Sequence, residues 1–399
     1  MKRLGRRRSR WFLGAFGLSV SVLAGLVASP AGAATVTLVH SSATIGRFAA
    51  DGHVITWGTK TRPAGNFFRP QWVYIRDVRR GRQSRFVEQT SLGPTNLAVG
   101  GRRIVWTDVV DVGPEVLMYT ATLGTTAAHQ YPGAYGSVFG GGGLPIRVIT
   151  QMAGDGTRLG FAWYQWDYRD HTSCVNPPVS PPPGACDEIV QKGGVRLIEG
   201  SRRPSIPNVP PAWRLAVAGD RIAFVPLVAG QKRRIHPSTV QIRSADSGTL
   251  LATASWSAGR PRAIAMTRRR LAVLINQGGD MRIAIFSTAT GNQLATYRVS
   301  ATTGNDLQMS SAGVMFQTNL SRAQLRLLDP TTGARRTIAN LRRSPVAFSL
   351  QGTHARWAIN LRSGGYIRES KAPTISPRSV IRRRTPCVMV RVACRIVTR

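Results

Sequence analysis

The sequence predicts an all-β protein, a seven-bladed β-propeller with four antiparallel strands in each blade. Two observations predict it: a hairpin pattern that recurs along the chain, and the lack of any stretch with sustained helical periodicity. The clearest copy is LAVAGDRIAF at 215–224, where two short apolar runs flank a turn at Gly219. Apolar residues two apart on both sides of a turn indicate two antiparallel strands with one buried face.

The repeated unit has an anchor residue in the turn, an apolar residue three positions later and a bulky residue five positions later. Its seven anchors are Gly52, Gly101, Gly156, Gly219, Arg268, Ser311 and Gly352. Apolar residues four and two positions before the anchor complete the unit, and Met152 with Gly154 is its weak copy. The mean spacing of about 50 residues is typical of propeller repeats.

Further strands follow each hairpin. Segments such as IRDVRRG (75–81) and IAIFSTATG (283–291) end in a polar turn closed by glycine, and a fourth short apolar segment comes next. Two segments compete to complete the last blade: TVTLV at 35–39 and the strand-like CVMVRVACRIV in the tail from Lys371. Either one removes an exposed sheet edge.

In LAVAGDRIAF and LRLLDPTTG (325–333) the repeat resembles secreted bacterial propellers of the TolB-like and WD-repeat-like type, over about residues 35–370. The resemblance implies a fold and no particular function. Quinoprotein propellers share the D-x-x-T-G turn, but the tryptophan expected soon after it is missing here. We therefore predict no quinone, and no other cofactor.

The first 33 residues have the layout of a secretory signal peptide. A basic start, MKRLGRRRSR, precedes an apolar run at 11–28, and Ala31 and Ala33 form a cleavage site. We predict a signal peptide at 1–33, the propeller at 34–370, a basic tail at 371–399, and a secreted, cell-envelope or periplasmic location. The alternative is an uncleaved anchor, since about 18 apolar residues just span a bilayer; only then would the protein contact a membrane.

The net charge of +36, from 54 basic and 18 acidic residues, favours attraction to polyanions. Non-specific polyanion adhesion is therefore one hypothesis. The arginine runs, as at 268–270 and 382–384, do not alternate with aromatic residues as base-stacking surfaces do. No specific nucleic-acid binding is predicted, and we expect a monomer.

Four cysteines suit an oxidising compartment. Cys174 and Cys186 bracket the proline-rich VNPPVSPPPGA, and bridging them stabilises by roughly 3 kcal/mol in the chain-entropy model. Cys387 and Cys394 would form the second disulfide, although four cysteines allow three connectivities.

The long insertions, at 61–71, 132–145, 165–188 and 229–239, all belong to one face of the predicted ring. We call it the insertion face; it carries the loops between second and third strands and between blades. Loops on a rigid scaffold concentrate function, so this face is predicted to bind a partner. The candidate binding residues are Phe67, Phe68, Tyr135, Phe139, Trp166, Tyr168, Arg233, Arg234 and His236. For each aromatic residue the alternative is packing of the loops on one another.

The insertion at 165–188 also gathers side chains of the metal-ligating type, namely Asp167, Asp170, His171, Asp187 and Glu188. Their spacing matches no calcium loop and no zinc motif, so solvated loop charges are the favoured interpretation. No metal site is predicted.

Enzyme motifs are weak in this chain. There is no G-x-S-x-G motif and no room for a hydrolase domain beside seven blades. The sequence therefore predicts an exported, non-catalytic binding or scaffold module for a protein or an anionic envelope polymer. The alternative is a carbohydrate-active hydrolase or lyase, which a carboxylate pair at the ring centre would favour.

Overall fold

The computed structural model describes residues 34–60, 71–88, 95–109, 116–130, 146–175, 181–198, 206, 209–235, 237–300, 306–319 and 323–372. The chain divides into two units, residues 1–32 and 33–399, and every described residue belongs to the second. The predicted insertion residues Phe67, Phe68, Tyr135, Phe139 and His236, and also Cys387 and Cys394, lie outside the described residues.

The described residues form seven antiparallel sheets and one short helix, which confirms the predicted seven-bladed propeller. The first strand is β1 (Val36–Ser41), and blades 1 and 2 follow it. Blade 1 contains β2 (Thr44–Asp51), β3 (Val54–Lys60), β4 (Gln71–Asp77) and β5 (Gln83–Glu88); blade 2 contains β6 (Asn96–Gly100), β7 (Arg103–Val109), β8 (Val116–Thr122) and β9 (His129–Gln130).

Blade 3 contains β10 (Ile146–Asp155), β11 (Arg158–Tyr168) and β12 (Glu188–Leu197); blade 4 contains β13 (Ala212–Ala218), β14 (Arg221–Pro226), β15 (Thr239–Ser244) and β16 (Leu250–Ser255). Blade 5 contains β17 (Arg260–Met266), β18 (Arg270–Gln277), β19 (Asp280–Ser287) and β20 (Gln293–Val299). Blade 6 contains β21 (Leu307–Ser310), β22 (Gly313–Asn319), β23 (Ala323–Leu328) and β24 (Arg335–Leu341); blade 7 contains β25 (Ala347–Gln351), β26 (His354–Leu361) and β27 (Gly364–Lys371). The helix α1 (His171–Val175) follows β11.

The first two strands of every blade pair in the same register. In each blade the apolar residue four positions before the anchor faces the bulky residue five positions after it. The pairs are Phe48–Trp57, Leu97–Trp106, Met152–Phe161, Leu215–Phe224, Ile264–Val273, Leu307–Phe316 and Phe348–Trp357. The turn at Gly219 shows why several anchors are glycine: its φ of 59° lies in the left-handed region that side chains disfavour.

The apolar core lies between neighbouring blades. Val73 and Ile75 of blade 1 pack with Ile104 and Trp106 of blade 2 in one fully buried cluster. The same arrangement continues around the molecule, since each innermost strand contacts the innermost strand of the next blade and β25 contacts β2. The blades therefore form a closed ring around a central channel.

The ring closes through the amino-terminal segment. Strand β1 pairs antiparallel with β27 and supplies the outer strand of blade 7. Asn360 adds a second link between the chain ends, because its side chain accepts from Ile45 N–H at 2.8 Å and donates to Ile45 O at 2.9 Å. Of the two segments that the sequence offered for closure, residues 35–39 take this position.

Blade 3 has three strands in the described part of the chain, and the cysteine-bracketed insertion lies between β11 and β12. Cys174 and Cys186 form a disulfide with a Cα–Cα distance of 5.2 Å. Arg169 N–H donates to Asp187 O at 2.8 Å, and Asp170 N–H donates to Ala185 O at 3.0 Å. These bonds hold the ends of the insertion together. Within the described ranges, no helix has the length and hydrophobicity needed to cross a membrane.

Candidate functional site

The seven innermost strands, β2, β6, β10, β13, β17, β21 and β25, surround a cavity of about 890 Å³ at the ring centre. All of them run in the same direction, because each starts its blade on the insertion face and ends at the hairpin turn on the opposite face. Side chains at equivalent repeat positions therefore lie at the same depth in the cavity. This cavity is the candidate functional site.

Two layers of side chains line the cavity wall. Five positions before the anchors lies a layer that we call the polar ring: Arg47, Asn96, Gln151, Arg214, Ala263, Asp306 and Ala347. Three positions before the anchors lies a layer that we call the alanine ring: Ala49, Ala98, Ala153, Ala216, Ala265, Gln308 and Ser349. Apart from Gln308, the side chains of the second layer are small, and they leave the channel open below the charged side chains of the first.

Asp306 is the acidic member of the polar ring. It directly precedes β21, and its Oδ1 accepts a hydrogen bond from Leu307 N–H at 2.9 Å. Burial raises the pKa of Asp306 to about 6, although the bonds from Leu307 and Gln308 and the charges of Arg214 and Arg47 act to lower it. A carboxyl group with such a pKa can take up and release a proton near neutral pH.

Arg214 and Arg47 are the basic members of the polar ring. Burial lowers the pKa of Arg214, while Asp306 opposes this shift and Arg262 reinforces it. The Arg214 guanidinium carbon lies 4.3 Å from the centre of the Trp213 ring, and its buried Nε has no hydrogen-bond partner among the described residues. Neither Arg214 nor Arg47 forms an ion pair within 4 Å in the described parts of the chain.

Carboxylates at the opposite end of the innermost strands have a structural role. Asp51 accepts from Gly101 N–H at 2.6 Å, and Asp155 accepts from Gly219 N–H at 2.7 Å. Each bond joins one blade to the hairpin turn of the next. Burial raises the pKa of Asp51, the Gly101 bond opposes this, and the charge of Asp155 adds to it.

Among the described residues, the two carboxylates that line the cavity, Asp155 and Asp306, therefore lie at opposite ends of the wall. Acid-and-base glycoside hydrolysis needs two carboxyl groups on either side of one bond. The arrangement does not support a paired-carboxylate carbohydrase at the ring centre.

The described binding candidates of the insertion face pack on one another. Trp166 is only 6% exposed and meets Tyr168 edge to face at 5.4 Å. Arg233 lies over the Trp166 ring at 4.7 Å and makes two hydrogen bonds to the Glu188 carboxylate, one of 2.7 Å. Arg234 is 84% exposed, with its Nε 3.9 Å from Glu188 Oε2. These contacts attach the loop after β14 to blade 3.

The side chains of metal-ligating type are also engaged within the protein. His171 Nδ1 lies 2.7 Å from Asp167 Oδ1, and Lys232 Nζ lies 2.8 Å from Asp187 Oδ2. Asp170 caps the short helix through Ser173 N–H at 3.1 Å. In the described portion of the protein, no group of three or more His, Cys, Asp or Glu side chains is placed to hold a metal ion.

Sequence reasoning missed Asp306, Arg214 and Arg47. The signal was present, because all three occupy the position five residues before an anchor. The repeat is recognised by its apolar positions, four and two residues before the anchor. The position five residues before the anchor differs in residue type from blade to blade, so no pattern marks it.

No protein-family model and no curated protein sequence matches the chain. Solved structures match it in shape. The β-propeller domain of the Trilobed protease from Pyrococcus furiosus is 9% identical, covers 86% of this chain and 99% of that one, and gives a TM-score of 0.54. Pyrococcus horikoshii acylaminoacyl peptidase is 12% identical over 82% of this chain and 52% of that one, at a TM-score of 0.55. TolB from Acinetobacter baumannii is 14% identical over 66% and 56%, at a TM-score of 0.38.

This comparison corrects the predicted function. The sequence predicted a non-catalytic binding or scaffold module, whereas two similar structures with a TM-score above 0.5 are the β-propeller domain of a protease and an acylaminoacyl peptidase. The propeller architecture thus gives no reason to exclude a catalytic role, and the scaffold interpretation is withdrawn. The chain is a seven-bladed β-propeller, and its fold is similar to that of the propeller domain of the Trilobed protease.

Proposed function

We propose that this chain acts in peptide hydrolysis, with the ring-centre cavity receiving the substrate and Asp306 accepting a proton there. The observation that carries the proposal is one carboxyl group with a raised pKa, in a cavity of about 890 Å³, beside the guanidinium groups of Arg47 and Arg214. Perturbed acids in cavities are typical of catalytic sites. The likeness in fold to two peptidases supports the choice of a peptide as substrate.

The chemistry assigns one role to each group. Ionised Asp306 takes a proton from water, and the resulting hydroxide adds to the peptide carbonyl carbon. Gln151, whose amide oxygen accepts from Leu215 N–H, donates an amide hydrogen to the carbonyl oxygen on which negative charge develops. The carbon–nitrogen bond then breaks, and the proton on Asp306 passes to the departing amine, which returns the carboxylate to its first state.

The test is hydrolysis by the purified chain. Peptides of 6 to 12 residues, with free and with acetylated amino ends, are incubated with wild type, Asp306→Asn and the control Asp246→Asn, and new peptide ends are counted by mass spectrometry. We expect Asp306→Asn to lower the rate by about 10²-fold or more. The control removes an exposed carboxylate, paired with Arg158 at 2.6 Å, and is expected to leave the rate unchanged.

The wild-type rate is expected to rise with pH through about 6, because Asp306 accepts a proton only when ionised. A wild-type chain that cleaves none of the peptides, or an Asp306→Asn chain that cleaves them at the wild-type rate, would contradict the proposal. Since all variants are purified in parallel, a contaminating peptidase would show itself as equal rates.

We further propose that the protein works outside the cytoplasm. The signal-like segment at 1–33 supports this, as does the Cys174–Cys186 disulfide. Amino-terminal sequencing of the exported chain is expected to begin at Ala34; a chain that keeps residue 1 would contradict cleavage.

A further inference from the structure

The polar ring has an excess of positive charge. Arg47 on β2 and Arg214 on β13 line the cavity, and Arg262 on β17 acts electrostatically on Arg214. One carboxylate of the polar ring, Asp306, interacts electrostatically with Arg214 and Arg47. Asn96, Gln151, Ala263 and Ala347, which complete this layer, are uncharged. An anionic ligand group would balance the layer.

The hydrogen-bonding state of the ring favours the same kind of ligand. Arg214 keeps a buried Nε–H without an acceptor among the described residues, and an unsatisfied buried donor costs about 1–3 kcal/mol. Gln151 uses its carbonyl oxygen to accept from Leu215 N–H at 3.4 Å, which leaves its amide hydrogens as donors toward a ligand. Donors thus outnumber acceptors at this depth of the cavity.

From these contacts we infer that the polar ring binds the free carboxylate at the carboxyl end of a peptide, with Arg214 and Arg47 as the groups that hold it. This inference rests on the proposed function, since it names which peptides the cavity takes. Planar guanidinium groups match a carboxylate through paired hydrogen bonds. The alanine ring next to the polar ring leaves space for the residues that precede this carboxylate.

The charges predict how pH affects binding. Asp306 is the member of the polar ring whose charge changes near pH 6. Its ionisation places a negative charge beside the bound carboxylate. Affinity for a free carboxyl end is therefore expected to fall as the pH rises through 6, and Asp306→Asn is expected to remove this dependence.

The experiment compares two peptides of one sequence, one with a free carboxyl end and one with an amide. Binding to the Asp306→Asn chain, in which we expect hydrolysis to be slower by about 10²-fold or more, is measured by isothermal titration calorimetry at pH 7. We expect the free carboxylate to bind at least about tenfold more tightly, as one charged hydrogen-bonded contact is worth that factor. Arg214→Gln and Arg47→Gln are each expected to reduce the preference, whereas the exposed control Arg298→Gln keeps it.

Three outcomes of this experiment would overturn the inference. Equal affinity for the two peptides overturns it, and so does a preference that survives both Arg214→Gln and Arg47→Gln. Displacement of the peptide by inorganic phosphate at equal concentration would assign the ring to phosphate and likewise overturn it. The thermal unfolding midpoint of each variant shows whether it folds. If Arg214→Gln does not fold, Arg47→Gln alone tests the inference.

The two proposals fail in different ways. Peptides that bind with the carboxylate preference but are never cleaved by wild type contradict the hydrolytic function alone. Peptides that are cleaved at the same rate with a free or an amidated end, and bind equally, contradict the carboxylate inference alone.

Discussion

Arg356 and Glu369 form a largely buried ion pair in blade 7, with Arg356 Nε 2.5 Å from Glu369 Oε2. The Arg356 side chain is only 4% exposed, and its Nη1 donates to Gly52 O in the first hairpin turn of blade 1 at 2.6 Å. One guanidinium group therefore joins two strands of the last blade to the first blade.

The first prediction concerns this pair. Glu369→Gln leaves Arg356 buried without a countercharge, so we expect a loss of about 3 kcal/mol in the free energy of unfolding, measured by urea denaturation. The control Asp280→Asn breaks the exposed pair with Arg298, at 2.7 Å, and is expected to cost less than about 1 kcal/mol. Equal losses in the two variants would contradict the structural role given to Arg356.

The stability that the Arg356–Glu369 pair contributes depends on pH. Burial acts to raise the pKa of Glu369, but the hydrogen bonds from Arg356 and His354 outweigh it, and the pKa is lowered from its usual 4.5. A lowered carboxyl pKa stabilises the fold above 4.5, and that stabilisation is lost as the pH falls through the folded-state value. The stability gap between wild type and Glu369→Gln is therefore expected to narrow below pH 4.5.

The second prediction concerns ring closure by β1. A chain that starts at residue 42 lacks β1 and leaves β27 as an unpaired sheet edge. We expect a lower thermal midpoint and self-association in gel filtration, because open edges pair with other chains. The control chain starts at Ala34 and keeps β1. If the two chains unfold at the same temperature, β1 does not close the ring.

The sequence predicted the hairpins because their core is local. Leu97 and Trp106 lie nine residues apart around a turn, and their apolar side chains reveal the pairing directly. The sequence alone does not decide closure by β1, since both candidate segments have strand-like patterns and edge pairing uses the backbone, which has the same hydrogen-bonding groups in either segment. The sequence pattern predicts a loop at Trp166, but β11 continues to Tyr168, and the Trp166 side chain is buried by the sheet.

The candidate site was harder to foresee than the fold. Arg214 and Asp306 belong to different blades, and their side chains face one cavity only when the ring is closed. The sequence shows that both residues lie five positions before an anchor. However, a position that holds Arg, Asn, Gln, Ala or Asp shows no pattern of residue type. The role of a charged side chain at such a position depends on the side chains that face it across the channel.

The third prediction concerns the stability cost of Asp306. Burial raises its pKa from 3.8 to about 6, so the folded state holds a proton that the unfolded chain has already released between these values. Stability therefore falls as the pH rises from about 4 to 6, and stays lower above 6. We expect Asp306→Asn to be more stable than wild type by about 1–3 kcal/mol at pH 8, and nearly equal to it at pH 4.

Urea denaturation at both pH values checks this prediction. A variant that is less stable than wild type at pH 8 would show that Asp306 stabilises the folded ring, which would oppose its assignment as a functional group held at a cost to stability.

The last prediction explains the weak copy of the repeat. Gly154 takes the position that is apolar in most blades, and a Cβ atom built there would lie 2.3 Å from Val99 O and 2.7 Å from Leu159 Cδ2. The backbones of β6 and β10 thus approach each other too closely for any side chain. Gly154→Ala must separate two innermost strands, and we expect a loss of about 1–3 kcal/mol in the free energy of unfolding.

Gly46→Ala is the matched control. Gly46 also lies in an innermost strand, its φ is outside the left-handed region, and an added Cβ would meet its nearest neighbour, Lys60 Cβ, at 3.4 Å. Alanine there is expected to be neutral or to stabilise by a few tenths of a kcal/mol, because it restricts the unfolded chain. Since the ring-centre cavity depends on the spacing of the innermost strands, Gly154→Ala is also expected to weaken peptide binding, while Gly46→Ala leaves it unchanged. Equal stability of the two variants would mean that blades 2 and 3 can separate without cost, and the close approach would then not explain the glycine.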